Sequence, residues 1–399
     1  MAKVEVEPAR TTGIPPLVVS PRTRIPVAGP SITASELAAV QEAAAHGWYE
    51  GAGSFVQRFE RAFAARHGSR FAVALPSCTS AIHLALAARG IGPGDEVVVP
   101  DLTWIASIAP AVQLGATPVF ADVEARTWCL DVDSLLAVAS ERTRAVVAVD
   151  LYGNLPDFAR LRRVCRDRGW FLLEDAAEAI GTTARDDEFG DRAAGTFGDC
   201  GVFSFHGSKT LTTGEGGMLL TDDAELHRRV RVLQDHGRTP GDRSFACDEV
   251  AYKYKMTDLQ AALGLGQLAR LDDLVTQKRT IFASYRHRLG DLPGVDWNDA
   301  GPGVQACPWM TTLVLRDHAP GTREHLRQRL AAAGIDSRPF FPPLCHTPAF
   351  AAAADAPRAR RCNTRAAAIG PRGLNLPSAL SLTEPQIERV AAVVREVLA

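Results

Sequence analysis

The segment Phe203-Ser204-Phe205-His206-Gly207-Ser208-Lys209-Thr210-Leu211-Thr212-Thr213-Gly214-Glu215-Gly216-Gly217 sets a lysine between small and hydroxyl residues. An apolar, strand-like run precedes it and a glycine-rich turn follows. A lysine in so crowded and apolar a setting can act as a nucleophile toward carbonyl carbon. Upstream, Phe171-Leu172-Leu173-Glu174-Asp175 is a second apolar run, and it ends in an acid.

Outward from these two runs, residues 70–220 alternate short β-rich runs with helical stretches. The runs are 71–75, 96–99, 118–120, 145–149, 170–173, 201–205 and 217–220. They are nearly continuous in apolar residues rather than alternating, which marks strands buried on both faces of a mainly parallel sheet. Helices are expected between them, for example over 79–88, 105–114 and 158–168. The fold class is therefore α/β, with helices covering the sheet. A long helical pattern over 257–289 carries Leu259, Leu263, Leu268, Leu271 and Leu274 at the spacing of one buried face. Beyond it lie a strand at 311–315 and helices at 323–333 and 384–398. Three parts are expected: a loose arm at 1–25, a large domain at 26–289 and a smaller C-terminal α+β domain at 290–399.

The totals exclude several function classes. A chain of 399 residues exceeds what one core usually covers. Forty-four basic and 46 acidic residues give a formal charge of −2, so nothing points to nucleic acid or an acidic membrane as partner. No apolar run approaches the ~20 residues of a membrane span. The N-terminus lacks the apolar middle of a signal peptide, and none of the eight cysteines has CxxC spacing. A cytoplasmic enzyme with reduced thiols and no metal site is the expectation.

In an open parallel sheet, ligands collect at the carboxyl ends of the strands. Asp175 and Lys209 both follow strand ends, so two distant residues converge on one crevice. An amine for a Schiff base and an acid for a pyridinium nitrogen are what a pyridoxal 5'-phosphate (PLP) enzyme needs. Asp175 would serve equally as a helix N-cap. Pro76-Ser77-Cys78-Thr79-Ser80-Ala81 opens a helix after the first strand, and offers amides and hydroxyls either to a phosphate or to the helix cap itself. Ser204 could add another hydroxyl. Trp104 follows the second strand, where it could stack on a pyridine ring or lie in the core. His206 and His346 are candidate site histidines, and His83 is expected to pack within its helix. A dinucleotide-binding GxGxxG is missing after the first strand.

Taken together, these segments resemble the DegT/DnrJ/EryC1/StrS family of PLP-dependent sugar aminotransferases. The resemblance runs from Gly47-Trp48-Tyr49-Glu50-Gly51 through the Ser77–Ala81 turn, Asp101 to Ser107, Leu151-Tyr152-Gly153, Glu174 to Gly181, the Lys209 loop, Tyr254-Lys255-Met256-Thr257 and Leu374-Asn375-Leu376-Pro377-Ser378. It implies the aspartate-aminotransferase-like fold type I and a homodimer with shared active sites. By position it makes Lys209 the Schiff-base lysine, Asp175 the pyridinium partner and Trp104 the stacking aromatic. Thr79, Ser80 and Ser204 become phosphate ligands, and Glu178 a neighbour of the ring. Three positions depart from the pattern: Cys78 replaces a glycine, Asp150 replaces a histidine, and Lys253 replaces an asparagine that reaches the phosphate from the neighbouring subunit. Arg238, Tyr254, Arg338, His206 and His346 are the substrate candidates. An intact Lys209 argues against the dehydratase branch, in which histidine takes its place.

The Thr212-Thr213-Gly214-Glu215-Gly216-Gly217 form of the loop resembles members aminating sugar C4, whereas those acting at C3 tend to a GDGG form. The resemblance thus implies transfer of nitrogen from L-glutamate, through pyridoxamine phosphate, to C4 of a dTDP-linked 4-keto-6-deoxyhexose, as in perosamine-type synthases.

Overall fold

A computed structural model describes residues 24–186, 190–319 and 321–399. The large unit is built on strands β1 (Phe71–Leu75), β2 (Glu96–Pro100), β3 (Thr117–Ala121), β4 (Thr143–Val149) and β5 (Phe171–Asp175). A short hairpin follows, β6 (Thr183–Asp186) and β7 (Gly190–Ala193), and then β8 (Cys200–Ser204) and β9 (Gly217–Thr221). Seven of these strands form one sheet in the order β1-β9-β8-β5-β4-β2-β3, with β9 antiparallel to both neighbours and the remaining pairs parallel. The continuous apolar runs explain the burial: all five residues of β2, β5 and β9 are buried. Apolar clusters fill both faces, with Val73, Val97 and Val147 on one side and Ala74, Val98 and Val146 on the other. Each such valine or leucine contributes about 1.5–3 kcal/mol by leaving water.

Local sequence sets the helices. Ser77 closes a capping box on Cys78–Ala88, and Asp157 caps Phe158–Arg168, which stops at left-handed Gly169. The helix expected over 105–114 is a 3-10 turn at Ile105–Ser107 followed by a short helix at Ala109–Gln113. The pattern at 257–289 is likewise two helices, Asp258–Ala269 and Leu271–Leu289, broken at Arg270. The single leucine face holds at Leu271 and Leu274, which are buried, but not before them. Leu259 is exposed and Leu263 and Leu268 are half-buried, whereas Ala261, Ala262, Gly264 and Gln267 face inward. The reason is close packing: a Cβ on Gly264 would stand 2.6 Å from the Phe59 ring, so that position admits only glycine.

The C-terminal part adds β10 (Val295–Trp297), β11 (Val304–Gln305), β12 (Thr312–Leu315), β13 (Arg338–Pro339) and β14 (Gly373–Asn375). Four of them form a second sheet, β10-β12-β14-β13, while β11 pairs with β6. A third apolar cluster joins this sheet to the helix Glu384–Leu398 and to Ile281, Tyr285 and Leu289. Most of the expected arm lies outside the described residues. Ile25 is no loose end: it is fully buried and bridges Ile335. No helix among the described residues is long and apolar enough to cross a membrane.

Candidate active site

The carboxyl ends of β1, β2, β4, β5 and β8 open onto a cavity of about 410 Å³. Its walls include Ser77, Cys78 and Thr79 after β1, Thr103, Trp104 and Ser107 after β2, Asp175 and Glu178 after β5, and Ser204, His206 and Lys209 after β8. The turn after β1 can come so close because β9 begins with a glycine: a Cβ on Gly217 would meet Cys78 N at 2.5 Å. Trp309, Arg338 and Phe341 close the cavity from the C-terminal part.

Asp175 is buried, yet three donors aim at it. Ser107 Oγ donates to Oδ2 at 2.7 Å, Ala177 N to Oδ1 at 3.2 Å, and Cys78 Sγ lies 3.8 Å from Oδ1. Burial pushes the Asp175 carboxyl up, against the pull of Ser107, the Ala177 amide and the Lys209 ammonium. The Cys78 thiol is itself pushed well up by burial and by the Asp175 charge, so it stays a donor.

Lys209 Nζ donates to Glu178 Oε1 at 3.3 Å and lies 3.5 Å from the centroid of the Trp309 ring. The Glu178 carboxyl is also raised by burial, with Lys209 and the Tyr152 amide opposing that rise. Tyr152 N donates to Glu178 Oε2 at 2.9 Å from a left-handed backbone (φ 52°), which is uncommon for a residue other than glycine. Aromatic rings pack about the Tyr152 side chain: Phe341 lies parallel to it at 5.6 Å and Trp309 nearly so at 5.9 Å.

Beneath the site, Asp150 and Glu174 form a fully buried acid pair. Glu174 accepts the amides of Gly195, Phe197 and Gly198 at 2.5, 2.6 and 3.1 Å. Neither carboxyl oxygen of Asp150 meets a donor, and burial and the Glu174 charge push its carboxyl well up. Three amides favour charge on Glu174, so of the two adjacent buried carboxyls Asp150 is the more strongly raised toward its protonated form.

The sequence-derived candidates divide cleanly. Lys209, Asp175, Glu178, Cys78, Thr79, Ser204, Trp104, His206 and Arg338 share the cavity. Trp104 is 57% exposed, with its ring 5.8 Å from Phe341, so it is a rim residue and not a core one. Ser80 is a correction. Its hydroxyl donates to Ser77 O at 2.7 Å and accepts from Ser77 N, so it is consumed in the capping box. His83 is buried with Nδ1 3.3 Å from Tyr254 Oη, which places Tyr254 outside the cavity. His346 is exposed and also outside it. Arg238 and Lys253 stand elsewhere, both paired to Asp235 at 2.9 and 3.4 Å.

The cavity fits PLP on its own terms. It pairs an amine with a donor-braced acid, and it borders the N-terminus of Cys78–Ala88, whose first amides have no intrahelical acceptor. Comparisons with known proteins agree. The DegT/DnrJ/EryC1/StrS aminotransferase family matches residues 30–395. A GDP-perosamine synthase from Caulobacter vibrioides is 39% identical, aligned over 94% of this chain and 98% of its own. Among solved structures, S. venezuelae DesV superposes with a TM-score of 0.85 at 32% identity, covering 94% of this chain and 98% of that one. Spr1654 from Streptococcus pneumoniae, solved in a PLP form, superposes with a TM-score of 0.85 at 28% identity over 94% of this chain and all of its own.

Proposed function

The chain belongs to the DegT/DnrJ/EryC1/StrS aminotransferase family, and from that premise we propose that it moves an amino group from L-glutamate to C4 of a nucleotide-linked 4-keto-6-deoxyhexose. It is a PLP-dependent enzyme. The observation that carries the reading is the convergence of Asp175 and Lys209, from separate strand ends, on one cavity where Glu178 holds the lysine amine.

Bound PLP supplies a ring that absorbs negative charge from the reacting carbon. The chain's own residues do the rest. Asp175 would stand by the ring nitrogen and hold a proton there, with Ser107 and Cys78 fixing the direction of its carboxyl. Lys209 would hold the cofactor covalently, and its freed amine would move the proton. Glu178 orients that amine. Thr79, Ser204 and the first-turn amides would seat the phosphate, and Trp104 would cover the ring. Among the described residues Arg338 makes no ion pair, and it faces a cavity whose other fixed charges are Asp175, Glu178, Glu215 and Lys209. That suits it to take a carboxylate of the amino donor.

Homodimerisation belongs to the proposal. Lys253 and Arg238 lie outside this chain's cavity, and they would serve the phosphate and the nucleotide pyrophosphate bound at the neighbouring subunit. The Thr212–Gly217 loop supports C4. The relative named a GDP-perosamine synthase supports a guanosine nucleotide over the dTDP that the loop alone suggests.

The test is to incubate the enzyme with PLP, L-glutamate and matched 3-keto and 4-keto sugars linked to GDP and to dTDP, and to locate the new amine by NMR. Amination at C4 is expected, with the GDP sugar turned over faster. Amination only at C3 would overturn the assignment.

A further inference from the structure

Trp309 is absorbed neither by the sequence reading nor by the roles assigned above, yet it makes the shortest cation–ring contact among the described residues. Lys209 Nζ lies 3.5 Å from its centroid, well inside the ~6 Å reach of a cation–π attraction. The indole is also anchored from three sides. Nε1 donates to Ser208 O at 2.7 Å, which ties the ring to the residue just before Lys209. Tyr152 lies nearly parallel to it, at an angle of 12°. Its backbone carbonyl accepts Lys278 Nζ at 2.9 Å, and the same Nζ donates to Ser378 O at 2.6 Å. Lys278 is buried with two carbonyls as hydrogen-bond partners, and burial lowers its ammonium to about 8.

We propose that Trp309 is the seat of the freed Lys209 side chain in its protonated state, and so a positioning residue for the step in which it gives the proton back. The inference rests on Lys209 being the proton carrier proposed above. A lysine freed from a covalent bond regains rotamers worth up to ~2 kcal/mol of entropy, and it would leave the reacting carbon unless something held it. Glu178 alone can hold it only by taking a full share of the proton's hydrogen bonding. An indole face holds the cation without being a base. The two contacts therefore divide the work: Glu178 orients the amine's hydrogens and Trp309 fixes its place.

Two arms test this on the full-length protein. In the first, the cofactor-free protein is reductively methylated with 13C-formaldehyde, and the Lys209 signal is assigned by its loss in Lys209→Ala. That signal should lie upfield of the other lysines through the Trp309 ring current, stay upfield in Trp309→Phe, and return to the common position in Trp309→Leu. No displacement in the wild type, or an equal one in Trp309→Leu, overturns the seat. Should Trp309→Leu not fold, loss of the displacement in Trp309→Phe does the same. In the second arm, the holoenzyme meets L-glutamate or its Cα-deuterated form in a single turnover. Trp309→Leu should be roughly tenfold slower, the effect of ~1.4 kcal/mol, with a larger isotope effect, and Trp309→Phe should fall less. Equal losses in both variants with an unchanged isotope effect would reduce the ring to packing. The first arm needs no turnover, so failure of the seat and failure of the proposed reaction are distinguishable.

Discussion

Around Lys209, two buried acids face one half-buried lysine in a cavity at the strand ends; around Asp235, one acid meets three cations at the edge of a separate cavity. Asp175 and Glu178 are both raised, because burial outweighs their partners. At Asp235 burial also pushes upward, but Arg238, Lys255 and Lys253, at 2.9, 3.3 and 3.4 Å, hold the carboxyl well below the usual range. The first region sets its charges against one another. The second leaves positive charge unbalanced, with 58% of the Lys253 side chain exposed. Chemistry suits the former and capture of an anionic substrate the latter.

The predictions probe that contrast. Asp175→Asn removes the charge opposite the ring nitrogen while keeping the shape. Turnover should fall more than about a hundredfold, the effect of ~3 kcal/mol at the barrier, with the visible spectrum of bound PLP altered. Normal turnover would erase the distinction between the two regions. Arg338→Gln should raise the KM for L-glutamate about ten- to hundredfold, as expected for a lost charged hydrogen bond, and leave the KM for the nucleotide sugar alone. Arg238→Ala and Lys253→Ala should do the reverse. Each should raise the nucleotide-sugar KM by a few-fold, with a steeper penalty at low salt, since exposed charges are screened. If neither moves it, the Asp235 cluster is not the nucleotide's seat.

The smallest effect concerns Asp150. Burial and the Glu174 charge raise its folded-state pKa above the unfolded value of roughly 4, so the folded protein keeps a proton that the unfolded chain has lost. Stability then declines as pH rises above that value, by up to ~1.4 kcal/mol per unit, until the folded carboxyl ionises. Asp150→Asn removes that dependence. Urea unfolding across the neutral range should show a flatter profile than the wild type, and parallel profiles would show that Asp150 is not the protonated member of the pair.

How far the sequence reaches follows from the same physics. The seven sheet strands were legible because residues buried on both faces must be apolar throughout, and Asp175 and Lys209 because they stand where such strands end. The β6–β7 hairpin was not legible, since its described residues are mostly half-exposed and form no apolar run. Trp309 and Phe341 sit on connections without periodicity and reach the cavity only through tertiary packing. Ser80 misled because one hydroxyl serves a cap as readily as a phosphate. Leu259, Leu263 and Leu268 misled because a helix packed tightly on Phe59 turns Ala261, Ala262 and Gly264 inward, whereas Leu271 and Leu274 are buried as expected.

The central claim is that Lys209 is the covalent seat of PLP. Borohydride reduction of the PLP-loaded protein, followed by peptide mapping, tests it most directly. The account predicts the cofactor's mass on the peptide bearing Lys209, and none in the Lys209→Ala variant. Labelling of buried Lys278 or of the Asp235-bound Lys253 or Lys255 instead, or no label on a protein that visibly holds the cofactor, would contradict it.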